Sequence, residues 1–231
     1  MIPGFSRIID KKEQKIKMKL MTLETELIHN RELCVGCGTC IIVCPKEAIT
    51  RGPVGASIRD SGKGNLENLS PVLFDQDKCS FCGTCAYLCP TGAISVQVNG
   101  EDNEQLLKEK ALPEIQIEWM DRKDSDAKIK KYCVGEIEID LTNCPSMCST
   151  CAVVCPTGAI TIPKSEEGWI KTKKTEYDKD KCSLCGACVY ACPSDCITLK
   201  RSKINYKGEF TEPFWPNIVN KLTTPKNSAE R

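Results

Sequence analysis

Cysteine is the residue type in this sequence with the clearest capacity for chemistry. The chain has 231 residues and 18 cysteines, and all but two of the cysteines fall into four compact runs, each followed by a proline. The runs are Cys34, Cys37, Cys40 and Cys44 before Pro45; Cys79, Cys82, Cys85 and Cys89 before Pro90; Cys144, Cys148, Cys151 and Cys155 before Pro156; and Cys182, Cys185, Cys188 and Cys192 before Pro193. Cysteine thiolates are soft ligands that suit zinc and iron–sulfur clusters. We therefore expect these runs to bind metal.

The spacing within the runs favours iron–sulfur clusters. Three runs read C-x2-C-x2-C-x3-C-P, a pattern in which the first three cysteines hold one cluster and the fourth ligates the cluster of a partner run. Four [4Fe–4S] clusters with full thiolate coordination are therefore expected. This crossed rule assigns Cys34, Cys37, Cys40 and Cys89 to cluster one; Cys79, Cys82, Cys85 and Cys44 to cluster two; Cys144, Cys148, Cys151 and Cys192 to cluster three; and Cys182, Cys185, Cys188 and Cys155 to cluster four.

Glycine follows the second cysteine of three runs, at Gly38, Gly83 and Gly186. Glycine lets the backbone approach a cluster and adopt a positive φ, and backbone N–H groups aimed at sulfur would help to set the cluster potential. A tight loop without a tuning role explains the same residues equally well. The third run has one extra residue before Cys148 and Ser149 at the glycine position, so we expect cluster three to differ in potential.

Other uses of such cysteines fit the sequence less well. Structural zinc normally takes two well-separated cysteine pairs. A disulfide scaffold is typical of secreted proteins, and the amino-terminal segment lacks the apolar core of a signal peptide. The spacing Cys144-x3-Cys148-x2-Cys151 resembles that of radical enzymes, whose cluster leaves one iron open, but Cys192 is expected to fill that position.

Three further residues need an interpretation, and two of them allow more than one. Cys196 takes the position that alanine holds in the other three units, which indicates a small buried residue. Cys133 precedes the third run and is either a free thiol or an additional ligand. His29, the only histidine, lies near the end of a predicted strand and is either a plain strand residue or a hydrogen-bond partner of cluster one.

The cysteine runs are part of a repeated unit. Asn30, Asp75, Asp140 and Asp178 stand four residues before the first cysteine of each run, and Ile49, Ile94, Ile160 and Ile197 stand five residues after the last. Short stretches of apolar or alternating apolar and polar residues precede the Asn or Asp. Asn and Asp suit a turn because their side chains can hydrogen-bond to the backbone that follows them. Each unit is predicted to be a strand, a turn, a cysteine loop, a short helix and a strand, giving an α+β fold.

The spacing between runs pairs the units into two tandem ferredoxin-like modules. The gaps of 34 residues after Cys44 and 26 after Cys155 are shorter than the 54 after Cys89. The predicted organisation is an N-terminal extension at 1–25, a first two-cluster module at 26–100, a linker at 101–135, a second two-cluster module at 136–200 and a C-terminal tail at 201–231. The linker contains a helix-like run around Glu104–Lys110. The aromatic tail is interpreted as an exposed docking arm, or otherwise as a segment packed on its own module.

Composition argues against several other functions. The net charge of +1 gives no basic excess for nucleic acid as the main partner. No stretch reaches the roughly 18–20 apolar residues that span a bilayer, and the expected location is the cytoplasm. The sequence has no phosphate-binding glycine loop or dinucleotide fingerprint. We expect the chain to be no enzyme itself but an electron carrier, with four clusters in line as a wire.

Three segments carry a resemblance to a known family. They are ELIHNRELCVGCGTC, LFDQDKCSFCGTCAYLCPTGAI and YDKDKCSLCGACVYACPSDCI, and the chain resembles a polyferredoxin over residues 26–200. The phrases SFCGTCAYLCP and GEIEID are similar to the polyferredoxin subunit of formylmethanofuran dehydrogenase of methanogenic archaea. The familiar members of that family are longer and carry more clusters.

This resemblance implies catalytic partner subunits. The chain would carry electrons to or from a tungsten or molybdenum enzyme that reduces carbon dioxide. Heterodisulfide reductase or a soluble ferredoxin would stand at the other end of the path. Two alternatives stay open: a similar subunit of a hydrogenase or related enzyme, and a free ferredoxin-type shuttle.

Overall fold

The computed structural model describes residues 4–10, 12–52, 70–145, 148–163 and 175–226. The strands in this part of the chain are β1 (Gly4–Ile9), β2 (Glu13–Lys19), β3 (Glu24–Asn30), β4 (Ile49–Arg51), β5 (Val72–Phe74), β6 (Ile94–Val98), β7 (Glu101–Asp102), β8 (Glu118–Asp121), β9 (Lys128–Lys131), β10 (Cys133–Ile139), β11 (Ile160–Thr161), β12 (Glu176–Tyr177) and β13 (Ile197–Ile204). The helices are α1 (Thr39–Val43), α2 (Thr84–Tyr87), α3 (Gln105–Lys108), α4 (Thr150–Val154), α5 (Ala187–Ala191) and α6 (Phe214–Thr223). Each predicted unit therefore contains its two strands and one short helix.

The predicted turns before the cysteine loops are present. Asn30 Oδ1 accepts hydrogen bonds from the backbone N–H groups of Glu32, at 2.9 Å, and Leu33, at 3.1 Å. Asp75, Asp140 and Asp178 accept equivalent backbone bonds in the other units. These bonds replace the strand ladder where the chain leaves it, so each loop starts from the same fixed geometry.

The strands pair in the same way in both halves of the chain. In the first half, the outer strands β3 and β6 pair antiparallel, and so do the inner strands β4 and β5. In the second half the outer pair is β10 with β13, and the inner pair is β11 with β12. Helix α1 packs on α2, and α4 packs on α5. The N-terminal hairpin of β1 and β2 extends the first outer pair into a five-stranded sheet with the order β1-β2-β3-β6-β7.

The predicted linker, residues 101–135, is folded against both halves. It contains helix α3, within the predicted helical run, and the β8–β9 hairpin. The buried Arg122 donates from Nη1 to the Leu33 carbonyl in the first half, at 2.9 Å. The neighbouring Lys123 donates from Nζ to the Ala152 carbonyl in the second half, at 2.7 Å. This segment therefore fixes the two halves relative to each other.

Up to residue 226 the aromatic tail packs on the rest of the chain, which is the second of the two interpretations offered from the sequence. Trp215, in α6, is only 1% exposed, and Ile218 and Leu222 on the same helix face are also buried. The Trp215 ring lies 5.2 Å from the Tyr206 ring in an edge-on contact. Apolar residues spaced three and four apart form one helix face, and that face packs on α1 and β13. A docking role for residues 201–231 remains a prediction that these contacts do not test.

No helix in the described ranges has the length and apolar character needed to cross a bilayer.

Candidate metal centres

A cavity lies between one thiol of the first unit and three thiols of the second. Its lining includes the cysteines of the expected cluster-two set, Cys44, Cys79, Cys82 and Cys85. Leu27, Ile49, Phe81 and Val96 close it with apolar side chains. This lining fits a cubane [4Fe–4S] cluster. Four thiolates are available as ligands, and the apolar side chains keep water away from the cavity. We call this thiol set site two.

In the other three expected sets, the thiols lie close enough to influence one another's pKa. Burial raises the pKa of Cys40 well above its usual range, and the neighbouring thiols of Cys37, Cys34 and Cys89 raise it further. These four cysteines form site one. In the second half, burial raises the pKa of Cys151 to about 11, with added contributions from the remaining members of site three, Cys148, Cys144 and Cys192.

Site four has the same crossed composition. Burial raises the pKa of Cys188 well above its usual range, followed by the effects of Cys185, Cys182 and Cys155. Cys151 of site three also acts on Cys188, and Cys85 of site two acts on Cys40 of site one. Within each half, therefore, the two sites are neighbours. Thiols with raised pKa values stay protonated in the metal-free chain, so binding of a cluster must displace their protons.

Hydrogen-bond donors point at several of these sulfurs. The backbone N–H groups of Ala48, Ala93 and Cys196 each donate to the fourth cysteine sulfur of their own unit at 3.3 Å. The Thr84 hydroxyl lies 3.4 Å from the sulfur of Cys82. Once a sulfur is bound to iron it can only accept, so such a hydroxyl becomes the donor. Hydrogen bonds to sulfur are one of the means by which a protein sets a cluster potential.

The glycines at the loop ends adopt the conformation that their residue type permits. Gly38, Gly83 and Gly186 have φ values of 73°, 82° and 93°, and each directly precedes the helix of its unit. Ser149 holds that position in the third unit with a φ of −123°, because a residue with a Cβ avoids the left-handed region. The third loop therefore follows a different path, although residues 146–147 lie outside the described ranges. The predicted difference in potential remains a prediction.

The two halves touch through the loops of the first and fourth units, and we call this contact the junction. A Cβ added to Gly186 would lie 3.7 Å from the Cys37 carbonyl oxygen. Val35 and Cys37 pack in one buried cluster with Val154 and Cys185. Cys37 also contributes to the raised pKa of Cys185, second to burial. Site one and site four are therefore neighbours across the junction.

A second contact reinforces the junction. The Arg51 guanidinium lies over the Tyr190 ring, 3.7 Å from its centroid. A Cβ added to Gly38 would lie 2.8 Å from the edge of that ring and 2.9 Å from the Arg51 Nη2 atom. Only a residue without a side chain leaves room for this cation–π pair. Gly38 thus has a packing role that sequence reasoning did not identify.

Exposure differs between the inner and outer sites. In site four all four cysteines are buried, and in site one only Cys34 is partly exposed. In site two only Cys85 is buried, and in site three Cys144, Cys148 and Cys151 are all partly exposed. The sites beside the junction are therefore shielded, and those away from it approach the surface.

The remaining candidates are all buried. Cys196 is 4% exposed, as expected from its position. Cys133 is buried in β10, and its neighbours include Arg201 and Cys182. His29 is fully buried, with its ring 5.4 Å from that of Phe74, and burial lowers its pKa to about 4. A ligand role for Cys133 and a tuning role for His29 both remain untested.

Two buried arginines were missed by sequence reasoning. Arg122 is 5% exposed. Burial raises the pKa of Cys34, and the positive charge of Arg122 partly offsets this effect. Arg201 is 6% exposed and lies beside the junction. A signal for Arg201 does exist in the sequence. Ile197, Leu199 and Arg201 alternate along β13, and alternate residues of a strand share one face, so the buried face of the strand includes this charge.

Comparison with known proteins supports [4Fe–4S] sites in both halves of the chain. The family model described as a 4Fe-4S dicluster domain matches residues 33–93 and again residues 143–196. The polyferredoxin protein FwdF of Methanocaldococcus jannaschii is 61% identical over 31 residues, which is 13% of this chain and 9% of that protein. The chain therefore aligns with only a small part of this curated relative.

A solved structure matches almost the whole chain. It belongs to a formate dehydrogenase–heterodisulfide reductase–formylmethanofuran dehydrogenase complex from Methanospirillum hungatei. One of its chains superposes with a TM-score of 0.81 and 27% identity, covering 99% of this chain and 94% of that one. The small α+β, ferredoxin-like fold and the presence of [4Fe–4S] sites are thus supported independently of the thiol geometry.

Proposed function

Because the chain is a polyferredoxin that resembles those of formylmethanofuran dehydrogenase, we propose that it is the electron-transfer subunit of such a complex. In this proposal it holds four [4Fe–4S] clusters in two tandem modules, with the cysteines of sites one to four as ligands. Each bound cluster supplies reversible one-electron chemistry. All four thiolates of a site are used in ligation, so the chain has electron transfer and not catalysis as its role.

The junction is the observation that carries this proposal. Sites two and one are neighbours in the first half, sites four and three are neighbours in the second, and the Cys37 loop contacts the Cys185–Gly186 loop between them. The resulting order is two, one, four, three, which differs from the order of the units along the chain. A protein that only stored electrons would not need its two halves joined at the inner sites.

The exposure pattern supports the same order. Sites two and three, at the two ends, have partly exposed cysteines, whereas nearly all cysteines of sites one and four are buried. An electron-transfer partner must approach a site closely, so the ends are suited to docking and the middle to shielding. We propose that a catalytic subunit docks at one end and a second redox protein at the other.

The proposed partners are those that the resemblance to the polyferredoxin of formylmethanofuran dehydrogenase implies. They are the tungsten or molybdenum subunits that reduce carbon dioxide at one end, and heterodisulfide reductase or a soluble ferredoxin at the other. The proposed location is the cytoplasm, without nucleic acid as a partner. The matched structure from Methanospirillum hungatei is of a complex of formylmethanofuran dehydrogenase with heterodisulfide reductase and formate dehydrogenase, and this supports both kinds of partner.

Anaerobic purification of the native chain tests the partner assignment. Metals in the purified material are counted together with the companion subunits that remain bound in dilute buffer. Tungsten or molybdenum in a stable complex supports the proposal. Nickel in the complex favours the hydrogenase alternative, and a chain that purifies alone favours the free shuttle; either result would refute the proposed complex.

A further inference from the structure

Arg201 is a buried cation that donates hydrogen bonds to backbone carbonyls. Its guanidinium donates from Nε to the Leu184 carbonyl at 3.0 Å, from Nη2 to the Cys185 carbonyl at 2.9 Å and from Nη1 to the Leu222 carbonyl at 3.2 Å. Among the described residues, no carboxylate lies within ion-pair distance of it. A buried charge is costly unless an opposite charge compensates it. The counter-charge of Arg201 must therefore come from another source.

The guanidinium faces both inner sites. A Cβ added to Gly186 would lie 3.5 Å from Arg201 Nη2 and 3.7 Å from the Cys37 carbonyl oxygen, so the arginine and the first-unit loop meet at one point of the junction. Cys185, whose carbonyl accepts from Nη2, lies in the same buried cluster as Val35 and Cys37 of the first unit.

Arg122 provides a contrast within the same chain. It is buried beside site one and donates to the carbonyls of Leu33, at 2.9 Å, and Glu32, at 3.3 Å. Unlike Arg201, it has a carboxylate partner, Asp124, whose Oδ1 atom lies 2.6 Å from Nε. The Arg122–Asp124 pair therefore brings no net charge to site one, whereas Arg201 brings a full positive charge to the junction.

We propose that Arg201 is the fixed counter-charge of the inner sites and raises the reduction potentials of the clusters bound at sites one and four. Reduction adds one negative charge to a cluster, and a nearby cation in a poorly screened interior favours that state. Arg201 neither carries the electron nor exchanges a proton. When an electron passes between neighbouring clusters, one cluster is oxidised and the other reduced, and Arg201 favours the reduced state at sites one and four. This proposal rests on the proposed function.

Potentiometric titration of the anaerobic full-length chain, followed by electron paramagnetic resonance, tests the proposal. We compare the wild type with Arg201→Met, Arg201→Gln and Arg201→Lys, and iron per chain is measured on every sample. Gln retains N–H donors for the carbonyls but no charge, and Lys retains the charge. The matched control is the double variant Arg122→Met with Asp124→Asn, which removes a buried arginine but no net charge.

In Arg201→Met and Arg201→Gln we expect two of the four midpoint potentials to fall by about 59 mV. This shift corresponds to about a tenfold change in the equilibrium constant of a one-electron reduction. Arg201→Lys and the double variant should leave the midpoints in place. Unchanged midpoints in fully loaded Arg201→Gln, an equal fall in Arg201→Lys, or loss of iron from both uncharged variants would overturn the proposal. A wild-type chain without clusters would instead refute the proposed function.

Discussion

Gly38 offers a direct test of the contact between the two halves, because a second glycine provides a matched control. Gly38 and Gly92 both have a positive φ, of 73° and 63°. A Cβ at Gly38 would lie 2.8 Å from the Tyr190 ring, whereas a Cβ at Gly92 meets nothing within 4 Å. The two alanine variants therefore share the backbone strain and differ in the junction contact.

The expected magnitudes follow from these geometries. Placing alanine in the left-handed region costs about 1–2 kcal/mol, and Gly92→Ala should destabilise by that amount. Gly38→Ala should cost about 2 kcal/mol more, because the new methyl must displace Tyr190 and so weaken the Arg51 cation–π pair, itself worth about 0.5–2 kcal/mol. A difference of about 2 kcal/mol corresponds to about 30-fold in a rate.

Cluster loss is irreversible in denaturant, so the assay measures a rate. The bleaching of the visible iron–sulfur absorbance in guanidinium is followed without oxygen for each variant. Tyr190→Ala is added to Gly38→Ala as a double-mutant cycle, which isolates the pairwise energy of residues in contact. Removing the ring should make room for the methyl and cancel most of the extra cost.

The contrary result is specific. Equal bleaching rates for Gly38→Ala and Gly92→Ala, with additive effects of Tyr190→Ala, would mean that the first-unit and fourth-unit loops do not touch. The inferred neighbourhood of sites one and four would then be wrong, and with it the order two, one, four, three.

Further predictions address the ligands, the donors, the tail and the effect of pH. Cys44→Ala should remove the cluster of site two and lower the iron content to about 12 per chain. Thr84→Ala should lower one midpoint by about 40 mV, from the loss of one hydrogen bond worth about 1 kcal/mol, whereas Thr84→Ser should not. Trp215→Ala should speed the bleaching in guanidinium, because loss of the buried ring costs about 3–5 kcal/mol and leaves a cavity beside Tyr206. Retention of iron against a chelator should increase with pH, since burial raises the pKa of Cys79 and Cys151 to about 11 and clusters bind only thiolates.

Each of these expectations has a clear opposite outcome. Retention of about 16 irons per chain in Cys44→Ala would contradict its role as a ligand, and equal midpoints in the alanine and serine variants of Thr84 would remove its donor role. A Trp215→Ala chain as stable as the wild type would mean that α6 does not hold the fold. If the amount of iron retained stayed constant or fell as the pH rose, cluster binding would not displace protons from the thiols.

The local features of the sites could be predicted from the sequence because their causes are local. Three cysteines within seven residues must lie on one loop, and the Asn or Asp four residues earlier fixes its start, as Asn30 does. The fourth cysteine ligates the cluster of the partner run because a short helix separates it from the loop of its own run. These features repeat four times, and the structure brings the same thiol sets together.

The junction could not be predicted, because it depends on contacts between residues far apart in sequence. The gap of 54 residues before Cys144 suggested two modules joined by a linker, but that segment packs on both halves through Arg122 and Lys123. The sequence left two interpretations of the tail for a similar reason. Its aromatic residues indicate an apolar surface, but sequence does not tell whether that surface faces a partner or, as for Trp215, the chain itself.

Iron and acid-labile sulfide per chain, measured on natively loaded protein purified without oxygen, test the central claim most directly. Four thiol sets that each hold a cubane predict about 16 irons and about 16 sulfides per chain, with no zinc. Zinc in place of iron, or about 8 irons with one half of the chain empty, would contradict a continuous wire of four clusters.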